Sequence, residues 1–307
     1  MPCRISVQLC TFNRRDLAIR CVTAIGLARF PAHACEIVVV DDGSEDGTAD
    51  AIQALQIPMP LRVLRQTHRG LAAARNLGIR ATRGEIVLFI DDDTIPDPDL
   101  LEEHWRMHER HDRLVVMGWV HHVSDESSGR RIPRLADLST SFFWTSNVSV
   151  RRTHLVAAGL FDEDFTEYGW EDLELGDRLR ALGLQRRRSW RAVVDHAKPA
   201  PRSCDLDLVI ARAEASGRSA AIYVRKQPTM RARLATGLTP TRCAAWRVVG
   251  RAERWLRGRV DPDLDRRLRW AERVAAYLVA GIHYHRSAAL ALAEHATGEG
   301  PLIASRR

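Results

Sequence analysis

Gly84-Glu85-Ile86-Val87-Leu88-Phe89-Ile90-Asp91-Asp92-Asp93 is a short apolar run closed by three carboxylates. A run that is apolar at every position reads as a strand buried on both faces, as in a parallel sheet covered by helices. In open parallel sheets ligands bind beyond the carboxyl ends of the strands, which is where Asp91, Asp92 and Asp93 fall. Three adjacent carboxylates repel one another unless a cation sits among them. Mg²⁺ or Mn²⁺ suits such a place, because these hard ions take carboxylate oxygens together with substrate phosphates. Taken alone, the run is equally readable as an Asp-rich turn or helix cap.

Outward from this run the same texture repeats. Upstream, strands are expected at Ile5–Leu9, Glu36–Val40 and Leu61–Arg65. They alternate with helices at Arg15–Leu27, Thr48–Leu55 and Leu71–Ala81. Downstream, Pro96 and Pro98 precede a helix from Leu100 to Glu109. Residues 121–137 are polar and aperiodic, a candidate lid over a site. Then come a strand at Phe142–Val150, short helices at Thr153–Ala158 and Asp172–Leu182, and a strand at Arg188–Val194. Alternating strands and helices make βαβ units. Beyond Pro199 and Pro201 only helical patterns remain, at Asp205–Val224, Arg231–Arg257 and Leu264–Glu294. The expectation is an α/β domain over residues 1–200, with a mostly parallel central sheet flanked by helices, and a basic helical extension over 201–307.

Composition bounds the class. The chain has 307 residues, 45% hydrophobic and 28% charged, which excludes wholesale disorder, a disulfide miniprotein and a fibre. No apolar run approaches the roughly 20 residues of a membrane helix. The N-terminus reads directly as a strand, without the apolar core of a leader peptide. Cys3, Cys10, Cys21, Cys35, Cys204 and Cys243 are scattered, as in a chain with reduced thiols, so a cytoplasmic location is expected. The formal net charge is +7, but residues 201–307 alone carry 20 basic and 10 acidic side chains. Nearly all the basic residues are Arg, and no nucleic-acid module accompanies them, so no nucleic-acid partner is expected. The basic helices can pack on the catalytic domain, pair two copies, or rest peripherally on the inner face of a membrane.

Other residues carry chemistry. Asp41-Asp42-Gly43-Ser44 follows a buried strand, where a carboxylate can meet a base or ribose and the glycine allows close approach. No GxGxxG is present, which argues against a dinucleotide-binding domain. In Gly169-Trp170-Glu171-Asp172, two adjacent carboxylates at a helix start should differ in pKa, and Trp170 can offer a face to a sugar. Asp195-His196 follows a strand, and a neutral imidazole can serve Mn²⁺ beside carboxylates.

Several motifs in order carry a resemblance: Ser6–Arg14, Val38–Thr48, Gly70–Ile79, Gly84–Asp93, Thr145–Val150, Gly159–Glu163 and Tyr168–Gly176. Together they resemble glycosyltransferase family 2, inverting nucleotide-sugar transferases of the A-type fold. The last stretch resembles a galactosyltransferase-type C-terminal segment. The resemblance spans about residues 4–197. It implies that Thr11, Phe12, Asn13 and Arg14 line a nucleotide pocket and that Asp42 meets the base. Gly70, Arg75 and Asn76 would lie beside the nucleotide and diphosphate. Asp91 and Asp93 resemble a DXD-type pair, with Asp92 next to the nucleotide, and Asp93, Asp91 and His196 would hold Mn²⁺ or Mg²⁺. Asp172 resembles the catalytic base and Glu171 an acceptor binder, with Asn147, Trp144 and Trp170 bordering the sugar and acceptor.

The implied donor is a nucleotide sugar, a UDP-sugar by resemblance. The acceptor is a glycan, a lipid-linked sugar or a small molecule. The chemistry agrees: a nucleoside diphosphate leaves only if its charge is met, and a hydroxyl attacks only with a positioned base. Two other classes stand beside this one. A sugar nucleotidyltransferase would need a Gly-rich basic loop after the first strand, where Thr11-Phe12-Asn13 stands instead. A non-catalytic nucleotide- or glycan-binding relative would need a damaged site.

Overall fold

The computed structural model describes residues 2–123, 141–197, 203–261 and 268–296. They divide into two compact units, one of 1–166 with 171–199 and one of 167–170 with 200–307.

The first unit holds β1 (Ile5–Thr11), α1 (Arg15–Gly26), β2 (Cys35–Asp41), α2 (Thr48–Gln53), β3 (Leu61–Arg65), α3 (Leu71–Ala81) and β4 (Ile86–Ile90). It continues with β5 (Thr94–Pro96), α4 (Leu100–Arg110), β6 (Leu114–Val123), β7 (Asn147–Arg151), α5 (Arg152–Ala157), α6 (Glu171–Ala181) and β8 (Gln185–Ala197). The strands form one sheet in the order β3-β2-β1-β4-β7-β6-β8-β5. From β3 to β4 all pairs are parallel. β7 runs antiparallel to β4 and β6, β6 and β8 are parallel, and β5 returns antiparallel on β8. β2 and β4 are buried at every position, as their unbroken apolar runs require. The core under them joins Val7, Leu9, Ile37, Val39, Ile86 and Leu88 to Val22 and Ile25 of α1 and Leu101 of α4.

Three local readings change. Phe142–Val150 is a strand only from Asn147. Before it, Phe143 is buried edge-on to Phe89, and the Arg180 guanidinium lies over Phe142, so the apolar character serves packing rather than pairing. His121–Val123 completes β6, and residues 124–137 of the expected lid lie outside the described residues. The single helix expected over Arg231–Arg257 is three: α8 (Met230–Thr236), α9 (Pro240–Val249) and α10 (Glu253–Arg257). Gly237 ends α8 at φ 71°, a left-handed position that glycine takes without strain, and Thr239 caps α9 with Pro240 in its first turn.

The second unit sets these three between α7 (Leu206–Lys226) and α11 (Trp270–Ala296). Its core gathers Leu206, Ile210, Leu256, Val279 and Ile282. His283 lies between Glu214 and Glu253, at 2.6 and 2.8 Å, and so ties α7, α10 and α11.

Gly118 sits at a register shift in β6, against β7 and β8. A Cβ there would come within 2.2 Å of Asn147 Nδ2 and 2.5 Å of the Ala192 carbonyl oxygen. Gly118→Ala is expected to lower stability by about 2–4 kcal/mol, through overpacking and the lost Asn147 hydrogen bonds, read as a lower urea midpoint.

Candidate active site

The loops after β1 and β2 are joined by Asn13. Its backbone is left-handed (φ 51°), a conformation Asn tolerates. Its N–H donates to Ser44 Oγ (2.8 Å), and its side-chain oxygen accepts from the Glu45 N–H (2.8 Å). The two neighbouring aspartates then divide their work. Asp41 folds back on its own loop and accepts from the N–H groups of Gly43 and Ser44 at 3.0 and 2.7 Å. Asp42 reaches across to the start of α3 and accepts from the Arg69 and Gly70 N–H groups, both at 3.0 Å, and from Gln66 Nε2 at 2.6 Å. His68 Nδ1 lies 2.9 Å from the same carboxylate, and its ring stacks on Phe12 at 4.2 Å. Phe12 is 40% exposed and His68 beside it is exposed too, whereas Asp42 and Gly70 are buried. Gly70 is required there: its φ is 90°, and a Cβ would lie 2.7 Å from the Thr166 carbonyl oxygen. Thr11 is buried at the end of β1.

Beyond β4 the three carboxylates separate. Asp91 accepts from Ser146 Oγ. Arg14 bridges Asp92 (2.9 Å) and Asp93 (3.0 Å). Burial pushes Asp92 up to about 6 in spite of Arg14. Asp93 is also partly desolvated, yet His196 and Arg14 together hold it below the usual carboxylate range. Topology supplies the histidine: β5 follows Asp93 directly and pairs with β8, placing Thr94 opposite His196. Asp93 Oδ1 and His196 Nε2 face each other at 3.1 Å. Both atoms are buried, and neither makes a well-directed hydrogen bond in the structure. A carboxylate oxygen and an imidazole nitrogen that converge without satisfying each other fit a hard or borderline divalent cation. No cluster of three or more His, Cys, Asp or Glu among the described residues is arranged for a metal. Two protein ligands completed by phosphates and water suit Mg²⁺ or Mn²⁺ at a diphosphate.

The third part lies at the start of α6. Arg75, buried in α3, donates to Glu171 Oε1 (2.5 Å) and to Thr145 Oγ1 (2.6 Å). Asp172 accepts the Leu173 N–H at 2.7 Å. Burial, then the adjacent Glu171, pushes Asp172 up to about 7, while Arg75 pulls it down and Asp91 adds to the rise. Glu171 Oε2 is buried without a hydrogen-bond partner in the structure.

Four expected site residues have polar or ring atoms engaged within the protein. Asn76 is buried and spent on the 161–163 loop, donating to the Phe161 carbonyl oxygen and Glu163 and accepting the Phe161 N–H. Asn147 is buried in the sheet, donating to the carbonyl oxygens of Trp119 and Ala192, with His104 Nε2 2.9 Å from its side-chain oxygen. Trp144 packs on the hydrophobic core of the first unit. Trp170 belongs to the second unit, where its indole N–H donates to the Ser216 carbonyl oxygen (3.0 Å) and its ring stacks on Tyr223. Sequence reasoning quotes Thr145 and Ser146 only within the Thr145–Val150 motif, with no role, and misses Gln66 and His68. A hydroxyl or amide placed by a distant strand leaves no local pattern. Their one signal is position: Thr145 and Ser146 precede β7, and Gln66 and His68 lie between β3 and α3.

The sequence model of the family described as Glycosyl transferase family 2 matches residues 6–166. Among curated proteins, an uncharacterized glycosyltransferase of Bacillus subtilis is 31% identical, over 55% of this chain and 58% of its own length. A validoxylamine A glucosyltransferase of Streptomyces hygroscopicus is 28% identical, over 63% of this chain and 56% of its own. The chain thus spans somewhat more than half the length of these relatives. A solved mannosyltransferase from Pyrobaculum calidifontis, in complex with GDP-Man and Mn²⁺, superposes with a TM-score of 0.63 at 19% identity, over 95% of this chain and 89% of that one. TarS of Staphylococcus aureus in complex with UDP-GlcNAc gives 0.55 at 16% identity, over 96% and 92%. The fold is that of the A-type glycosyltransferases, and the chain belongs to glycosyltransferase family 2.

Proposed function

We propose that this protein transfers a sugar from a nucleoside diphosphate donor, in the first instance a UDP-sugar, to an acceptor hydroxyl with inversion and with help from Mn²⁺ or Mg²⁺. The observation that carries this reading is Asp172: a buried carboxylate held near neutrality beside the Arg75–Glu171 pair and within electrostatic reach of Asp91. A general base works best when its pKa lies near the working pH.

Each residue then has a task. Phe12 offers a face to the base, and Asp42, whose two oxygens accept from Gln66, Arg69 and Gly70, would meet the base by exchanging one of these partners. Asp93 and His196 would hold the cation, with Asp91 as the third candidate ligand. When bound, the cation withdraws the negative charge that builds on the departing diphosphate. Arg14, tied to Asp92 and Asp93, would set a further positive charge beside those phosphates. Glu171 Oε2 can accept from a hydroxyl of the acceptor and so fix its angle. Asp172 takes the proton of the attacking hydroxyl as the oxygen bonds to the anomeric carbon. The bond from that carbon to the phosphate oxygen breaks, and its electrons leave with the nucleoside diphosphate. One displacement inverts the centre, and a retaining route would need a second carboxylate as nucleophile at the same carbon.

The nucleotide-sugar and Mn²⁺ complexes of the structural neighbours support the donor class and the metal. A glycan, a lipid-linked sugar and a small molecule are all suitable acceptors. The validoxylamine A glucosyltransferase and a 24% identical chondroitin synthase of Escherichia coli illustrate the small-molecule and glycan ends of that range.

Asp172→Asn should lower kcat by about 10²- to 10⁴-fold with donor affinity unchanged, measured by nucleoside diphosphate release and calorimetry. The same change should raise the melting temperature at pH 8. Asp172 is held above its ordinary value in the folded state, so its charged form destabilises the fold above about pH 7, and that cost vanishes below the unfolded value of 3.8. The gain should therefore shrink steadily from pH 7 to pH 4; a lower melting temperature at pH 8 would contradict the raised value. In the wild type, kcat/KM should fall about tenfold per pH unit below about 7. His196→Ala should abolish the thermal shift that nucleoside diphosphate gives only with Mn²⁺, while the shift from nucleoside alone persists; an undiminished Mn²⁺-dependent shift would remove His196 from the metal site.

A further inference from the structure

The second unit carries a surface that the transfer reaction does not use. Between residues 227 and 260 the sequence has eight Arg and a single acidic residue, Glu253. α9, the short turn Gly250–Ala252 and α10 follow one another without a gap from Pro240 to Arg257. One side of this run is committed inward: Trp246 and Val249 pack on the core of the unit, and Leu256 is part of it. Trp246 presses on α11 so closely that a Cβ on Gly281 would lie 2.2 Å from its ring.

Other side chains of the run are apolar and open. Ala244 and Val248 lie one turn apart on α9, Ala252 closes the turn and Trp255 follows on α10; all four are exposed, with Val248 at 62% and Trp255 at 60%. Arg247, Arg251 and Arg254 run beside them, also exposed, and none has an acidic partner among the described residues. The Arg259 guanidinium covers the Trp255 ring at 4.3 Å. Met230 and Leu234 of α8 extend the exposed apolar character.

We propose that this face of α9 and α10 adsorbs to an anionic lipid surface. An exposed apolar stripe edged by unpaired Arg matches an interface in which acyl chains lie beneath phosphates. Guanidinium groups bind phosphate in a forked geometry, and a Trp side chain suits the headgroup level. Charge complementarity selects this occupant over the alternatives. A second copy docked by the same face would set Arg against Arg across a two-fold axis. Nucleic acid would use the Arg residues and leave Val248, Met230 and Leu234 in water. No helix among the described residues is long and apolar enough to cross a membrane, so the contact is peripheral. The inference is independent of the proposed transfer reaction.

The test uses the full chain and sedimentation with vesicles of phosphatidylcholine alone or with about 30 mol% phosphatidylglycerol. The wild type should sediment with the anionic vesicles only, and raising salt from about 0.1 M to about 0.5 M should release it. Arg247→Glu/Arg251→Glu/Arg254→Glu should weaken binding by about tenfold or more. Val248→Ser/Trp255→Ser should weaken it several-fold at constant charge, and circular dichroism and melting should show both variants folded. No binding of the wild type to anionic vesicles overturns the proposal. So does vesicle binding that neither variant weakens. Binding to a duplex oligonucleotide that the Arg variant loses, with lipid binding unaffected by the Val248/Trp255 variant, assigns the surface to nucleic acid instead.

Discussion

Arg75 is a full positive charge enclosed in the first unit, and most of the site follows from how it is satisfied. A guanidinium cannot shed its proton, and stripping it of water costs several kcal/mol unless partners replace the water. Here Glu171 and Thr145 do so, which fixes the start of α6 and the turn before β7 against α3. The same turn carries Ser146 to Asp91. One buried cation thus sets where Asp172, Glu171 and the first aspartate of the 91–93 run stand. It also divides labour between neighbours: Glu171 takes the direct ion pair, and Asp172 is left with a backbone N–H and a raised pKa.

The parallel half of the sheet was legible because it needs no distant information. Leu61–Arg65 and Leu71–Ala81 have the limits read from sequence, and β2 and β4 extend or trim theirs by a residue. Both faces of β2 and β4 are covered, so hydrophobicity alone marks them, whereas β3 at the sheet's edge is half-buried. β5 was not legible. It is three residues long, contains a proline, and exists because β8 offers it an edge. β6 gained no assignment from sequence over 110–120, although its first half is apolar. Gly118 interrupts the run, and only the packing of Asn147 against that glycine explains why it stands in a strand.

The site was legible as a set of residues more than as a set of roles. Asp42, Asp93, His196, Arg75 and Asp172 were all singled out, yet nothing in the sequence separates Asp41 from Asp42. The structure does so by direction, since one caps its own loop and the other spans to α3. Asn76 and Asn147 are the reverse case. The resemblance sets Asn76 beside the nucleotide and Asn147 at the border of the sugar, and each is buried with its amide bonded to main-chain or side-chain partners. An amide in a motif can hold a loop as readily as a substrate, and the two look the same until the partners are placed.

The raised pKa of Asp172 shows which effect wins where two oppose. The first turn of a helix favours negative charge, by about 0.3–1 kcal/mol at exposed ends and up to about 2 in sheltered ones. Asp172 sits in that turn of α6 and is nevertheless pushed to about 7. Burial and the neighbouring Glu171 charge therefore outweigh the pull of Arg75 and of the Leu173 N–H. The arrangement has a cost in stability that packing elsewhere in the sheet must cover.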